Sequence, residues 1–289
     1  MIVKRVAVAL RLLAAMPVVA ATLGPVLAPT LQAPASSPMN DYNQSVSADG
    51  RLMVFARSEA DFRHARILVS ERTRGGWSTP EPIGFSDERW RDSDPWLTPD
   101  GRTLYFVSDR PTASRPDKRD LDVWRSTRRD GAWSAPEHLG DVVNGLGEEL
   151  GPELHGNTLY FATARRSGMG GLDVYAAPAT ADGFAAPAPL PAPINSAASE
   201  SDFTMSADRR TALFWRQVDG RGLLHVSRRG RDGWGEPRPL PDHINRGSFN
   251  FTPALSRDGR RLTYASTAPR EGQAAGMADV YEAALPKEL

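Results

Sequence analysis

Apolar residues along this chain come in short alternating runs broken by tight polar turns. Ser93–Phe106 shows the unit: SDPWL, then TPDGR, then TLYF. Pro99 presets φ for the first central turn position. Asp100 can bond back to nearby amides, and Gly101 tolerates the exit geometry. Trp96-Leu97 before the turn and Leu104-Tyr105-Phe106-Val107 after it suit half-buried strands, so the stretch predicts a hairpin.

The unit recurs. Its turn positions are Asp49, Asp100, His155, Asp208 and Asp258, separated by 51, 55, 53 and 50 residues, and each precedes an apolar run such as Leu159-Tyr160-Phe161 or Leu213-Phe214. A second signature keeps step. Trp77, Trp133, Phe184 and Trp234 each stand three before a Pro (80, 136, 187, 237), and an aliphatic residue stands three after it. Proline suits an edge strand and not a central one, so this is the outermost strand of each unit. A third signature lies between: Leu121-Asp122-Val123-Trp124, Leu172-Asp173-Val174-Tyr175 and Ala278-Asp279-Val280-Tyr281, with weaker versions at Ile67–Val69 and Leu223–Val226. Four short strands per repeat of about 50 residues, with no helical periodicity between them, predict an all-β five-bladed β-propeller of four-stranded antiparallel blades, five rather than six.

Pro99–Arg110, reading PDGRTLYFVSDR, resembles the WD40-like Pro-Asp propeller repeat of TolB-like proteins. Gly170–Tyr175 and the Trp-x-x-Pro element followed by Asn144 or Ile194-Asn195 resemble it too. The likeness covers about residues 41–285. It is strongest in the second repeat. The third has His155 for Asp in the turn, and the fourth has Arg209 for Gly and no Asp-Val-Tyr element. The resemblance implies a periplasmic propeller that docks to envelope proteins, and it speaks more to fold than to function.

The fifth repeat stops after its third strand, leaving an edge exposed. The resemblance implies that the other terminus supplies the missing strand. The candidate is Val26–Leu31, where Pro29 stands 14 residues before Asn43, as the other edge prolines stand 13 to 15 before their equivalents. The competing reading of residues 21–40 is an Ala/Pro-rich linker.

The extreme N-terminus resembles a secretory signal peptide: Lys4-Arg5, an apolar run with Arg11 as its only charge, and small residues at Val18-Val19-Ala20. Cleavage near Ala20 keeps the candidate closing strand; Ala33-Pro34-Ala35 is the later option. An uncleaved amphipathic helix is the alternative, since the run is short for a stable membrane span. The expected division is 1–20 signal, 21–40 linker or closing strand, and 41–289 propeller, located in the periplasm or secreted.

Lys+Arg and Asp+Glu each number 35, and removing Lys4, Arg5 and Arg11 leaves 32 basic against 35 acidic. Nothing here attracts nucleic acid. Cysteine is absent, which excludes disulfides, thiolate metal sites, a thiol nucleophile and a lipobox. The five histidines lack zinc-protease spacing, and there is no Gly-x-Ser-x-Gly elbow or phosphate loop. Gly168–Gly171 reads as a connection between strands. No catalytic residue, metal or cofactor is therefore assigned.

Candidate binding residues follow from the repeat. Six positions before each turn stand Asn43, Asp94, Glu149, Asp202 and Thr252, at the start of successive inner strands, with Asp92, Glu148 and Glu200 beside them. A propeller gathers such positions around one channel mouth. Asp94, Glu149 and Asp202 are the expected ligand-binding set, as a cation- or amine-binding ring, with Arg110 and Arg165 after the second strands to pair with those acids or hold an anionic ligand. The competing reading is that each acid bonds backbone or Arg at a blade junction. Trp77, Trp133 and Trp234 read as blade packing, and Trp90 and Trp215 as contact residues. The leading functional expectation is a monomeric binding module for an envelope protein, peptide or cell-wall partner, presenting loops such as Pro111–Arg119 and Ala268–Ala275. The alternative is a glycoside hydrolase using the channel carboxylates. A third reading is a propeller fragment of an oligopeptidase.

Overall fold

The computed structural model describes residues 28–286. The signal segment and Val26-Leu27 lie outside them. Five antiparallel sheets succeed one another along the chain. Their inner strands are Asn40–Val46, Asp92–Leu97, Glu149–His155, Glu200–Met205 and Asn250–Leu255. These five neighbour one another in a closed circle, the fifth lying beside the first. The protein is an all-β five-bladed propeller, and the single turn of 3-10 helix at Ala60–Phe62 is the one helical element among the described residues.

The Asp turns form for the reason their composition indicates. Asp100 Oδ1 accepts the Arg102 N–H at 3.0 Å and the Thr98 hydroxyl at 2.6 Å. Asp49, Asp208 and Asp258 do the same with a Ser two residues before and an Arg two residues after. Apolar positions alternate into clusters that span neighbouring blades. One joins Leu52, Val54 and Ile67 of the first blade to Leu104, Phe106 and Trp124 of the second.

The outer strand differs from the expected continuous one. Proline has no N–H for the ladder, and the strand breaks into two pieces, such as Gly76–Trp77 and Glu81–Pro82, each pairing with the third strand. Beyond it, the side chain of Asn144 grips the main chain of Val123, accepting its N–H at 2.7 Å and donating to its carbonyl at 3.2 Å. Asn195 holds Val174 and Asn245 holds Leu224 in the same way. In these three blades the Asn after the edge element thus acts as one more rung of the sheet.

In the fifth blade the outer strand is Thr30–Leu31, with Thr30 opposite Glu282 and Leu31 opposite Tyr281. The register equals that of the other blades. Leu31 faces Tyr281 as Pro189 faces Tyr175, and the Gln32 N–H reaches the Val280 carbonyl as the Leu190 N–H reaches that of Val174. The first and last described strands are therefore one sheet.

Candidate functional site

Each inner strand carries a bulge two or three residues after its start, and the bulge residue turns into left-handed backbone. These residues are Asn43, Asp94, Gly151, Asp202 and Thr252, with φ between 47° and 55°. Asn and Asp tolerate that region, whereas a β-branched Thr does so only under strain. The side chains of Asp94, Asp202 and Thr252 reach the next blade. Asp94 Oδ2 accepts the Gly151 N–H at 2.9 Å, Asp202 Oδ2 accepts the Thr252 N–H at 3.0 Å, and Thr252 Oγ1 accepts the Asn43 N–H at 3.2 Å. Asn43 Oδ1 is buried with no partner.

This belt is the waist of the central channel. Below it, on the face of the Asp-Gly turns, a cavity of about 960 Å³ is lined by residues including Glu153, His155, Trp96 and Arg209. Above it, on the face where inner strands begin, lies a smaller cup of about 220 Å³. Asn43, Asp202 and Thr252 line both, and Asp94 forms part of the upper floor. Burial raises the Asp94 carboxyl above its ordinary range. Asp202 is pushed up to about 7, first by burial and then by the charge of Asp94. The two acids disfavour each other's ionisation.

Glu149 is not a waist residue. Counted from equivalent pairs, the third hairpin passes from Leu154 to Leu159 through four residues, whereas the second passes from Leu97 to Leu104 through six. Two fewer turn residues shift the count, and Gly151 takes the waist position. Glu149 instead belongs to a set at the blade junctions. It pairs with Arg165 at 3.0 Å, Asp92 with Arg110 (Nη2 to Oδ2, 2.9 Å), Glu200 with Arg216 at 2.7 Å and Asp41 with Arg57 at 2.7 Å. Three of these arginines also bind the loop from the preceding blade, at the carbonyls of Phe85, Val143, and Pro193 with Ile194. Arg110 and Arg165 are thus junction clamps, away from the channel. The fifth blade has Asn250 at this place, hydrogen-bonded to Ser266 at 2.7 Å.

The upper cup adds residues that repeat reasoning missed. Tyr42, Phe62, Phe249 and Phe251 line it with Trp215. Phe249 stacks on Phe251 with centroids 4.4 Å apart, and Phe62 meets Tyr42 edge-on at 5.2 Å. Phe62 sits on a loop where Asp61, Phe62 and His64 all have positive φ. An aromatic residue within the polar loop Glu59–His64 was the available signal. Trp215 touches Phe249 at 5.3 Å, on the rim, while Trp90 lies under the Arg89 guanidinium. Trp133 is half-buried against the core shared by the first two blades. Among the described residues no three acids or histidines form a metal-binding group, and no helix is long and apolar enough to cross a membrane.

The sequence matches no protein-family model, and no curated protein matches it. Solved structures do resemble the fold. A putative TolB from Agrobacterium tumefaciens aligns with a TM-score of 0.54 at 14% identity, over 86% of this chain and 92% of that one. A thermostable family-43 glycoside hydrolase aligns at 0.58 and 10% identity, over 90% and 95%. The catalytic domain of a Coprinopsis cinerea GH62 α-L-arabinofuranosidase aligns at 0.53 and 14% identity, over 90% and 95%. The likeness is one of fold. Proteins of different function share it at similar distance, so the site must speak for itself.

Proposed function

We propose that this chain is an exported propeller that binds a protein or peptide partner in the bacterial envelope, as a monomer, without chemical turnover. One observation carries the reading: the conspicuous carboxylates are engaged in holding the ring. Asp94 and Asp202 cap amides of the following blades, and Asp92, Glu149 and Glu200 each hold an arginine at a junction. Open at the channel are the lower cavity and, on the upper face, a shaped mouth with an aromatic rim, which suits recognition. The fold likeness to a putative TolB agrees with this.

A glycoside hydrolase is the second reading, favoured by one feature. Asp202 holds its proton to about neutral pH beside Asp94, as a proton donor paired with a carboxylate would. One experiment separates the two. The mature protein is used to capture partners from envelope extract, and beside this it is screened for glycan hydrolysis with Asp94→Asn, Glu149→Gln and Asp202→Asn. Specific capture without hydrolysis is the expected result. Hydrolysis lost in a folded Asp94→Asn or Asp202→Asn variant installs the enzyme.

A further inference from the structure

The upper cup selects a kind of chemistry. Its volume, about 220 Å³, lies below the range of pockets for drug-sized ligands, so it accepts one small group. One wall is aromatic: Tyr42 and Phe251, nearly buried, form its back, and Phe62, Phe249 and Trp215 form its half-open rim. The floor is acidic, with Asp94 and Asp202, and Asp61 stands beside Phe62 on the rim loop. The cup's lining includes a single cation, Arg91, which is neutralised by Glu148 at 2.9 Å. Negative ring faces and carboxylates attract the same sign of charge. The acids disfavour anions, and the apolar rings disfavour a small, strongly hydrated metal ion.

We propose that the upper cup binds an organic ammonium group, primary or methylated, with its alkyl part against the Phe62–Phe249 rim and its charge towards Asp94 and Asp202. The inference rests on the binding reading above and names the chemistry that the mouth recognises. The group has two possible carriers, a lysine side chain of a peptide or a small free amine, which share this chemistry.

The test is calorimetric titration of the mature protein with two matched probe pairs. Choline is compared with 3,3-dimethyl-1-butanol, its neutral isostere, and Nα-acetyl-lysine amide with its Nε-acetylated form. Each cation is expected to bind at least about tenfold tighter than its neutral partner. Asp94→Asn, which keeps an acceptor for the Gly151 N–H, should weaken cation binding about tenfold. Phe62→Leu, which keeps an apolar side chain against Tyr42 and Phe251, should weaken it several-fold in a protein that still folds. Tighter binding of Nα-acetyl-lysine amide than of n-butylamine, the same primary ammonium without the peptide groups, assigns a peptide carrier, and the reverse a free amine. Equal binding of charged and neutral partners overturns the proposal, as does no binding of either cation at tens of millimolar. Capture of an envelope partner that survives both substitutions would leave the binding-module reading standing while the ammonium inference falls.

Discussion

Asp202 Oδ2 accepts the main-chain N–H of Thr252 at 3.0 Å, 50 residues further along the chain. The bond ties the fourth blade to the fifth at the waist of the channel. It is made by a carboxyl whose charged form is disfavoured there by burial and by Asp94. An amide oxygen could accept the same bond without the charge, and Asn43 stands at the equivalent bulge of the first blade.

Asp202→Asn should therefore stabilise the protein, and only at higher pH. The folded carboxyl titrates near 7 and the unfolded one near 3.8, so folded stability falls as pH rises through that window. Below it both states are protonated and the penalty is absent. The full difference corresponds to at most about 4 kcal/mol. Urea midpoints of parent and variant should coincide near pH 4 and diverge by pH 8 in favour of the variant. A difference of equal size at both pH values would show that Asp202 carries no buried charge.

The ring closure should be measurable. Starting the chain at residue 36 instead of 28 removes the Thr30–Leu31 strand, the Gln32 bond to Val280 and fully buried Ala35. Three or so main-chain hydrogen bonds amount to about 3 kcal/mol. The melting temperature should fall by about 6–12 °C. An unchanged value would mean that the fifth blade stands without its outer strand.

Arg110→Gln should strip the fully buried Asp92 of its counter-charge. Breaking one partner of such a pair costs about 3–5 kcal/mol. Burial already lifts the Asp92 carboxyl against the pull of Arg110, and without Arg110 it would rise further. The loss should thus be larger at pH 8 than at pH 5, which paired denaturation curves will show.

Trp133→Ala should cost about 2 kcal/mol, less than the loss of a fully buried aromatic, because the ring is half-exposed at the edge of its cluster. Calorimetric scanning should find a folded variant, and captured partners should be the same as for the parent. Loss of capture in a stable variant would make Trp133 a contact residue.

Gly170→Ala should be severe. An added Cβ would lie 1.8 Å from the Ala198 carbonyl oxygen and 2.7 Å from that of Ser196, both rigid backbone. Overpacking of this kind costs about 3 kcal/mol or more. Gly75→Ala, with open space around it, is the control and should be near neutral in the same denaturation assay.

Much of the architecture was legible in the sequence because its causes are local. A Pro-Asp-Gly turn bonds within five residues, a strand pair needs only alternation on either side of it, and a period near 50 counts the blades. The junction role of Asp92 could be weighed as one of two alternatives for the same reason: an acid and an arginine 18 residues apart in one hairpin must meet. The waist was another matter. Counting back from the turn reached Glu149, because nothing in the sequence announced that the third turn is two residues shorter, and only the paired strands place Gly151 beside Asp94. The upper cup draws Tyr42, Phe62, Trp215, Phe249 and Phe251 from three blades, and its floor from two acids more than 100 residues apart. Which residues share a cavity depends on how the whole ring closes. That closure sums the twist and packing of every blade, and no short stretch of chain contains it.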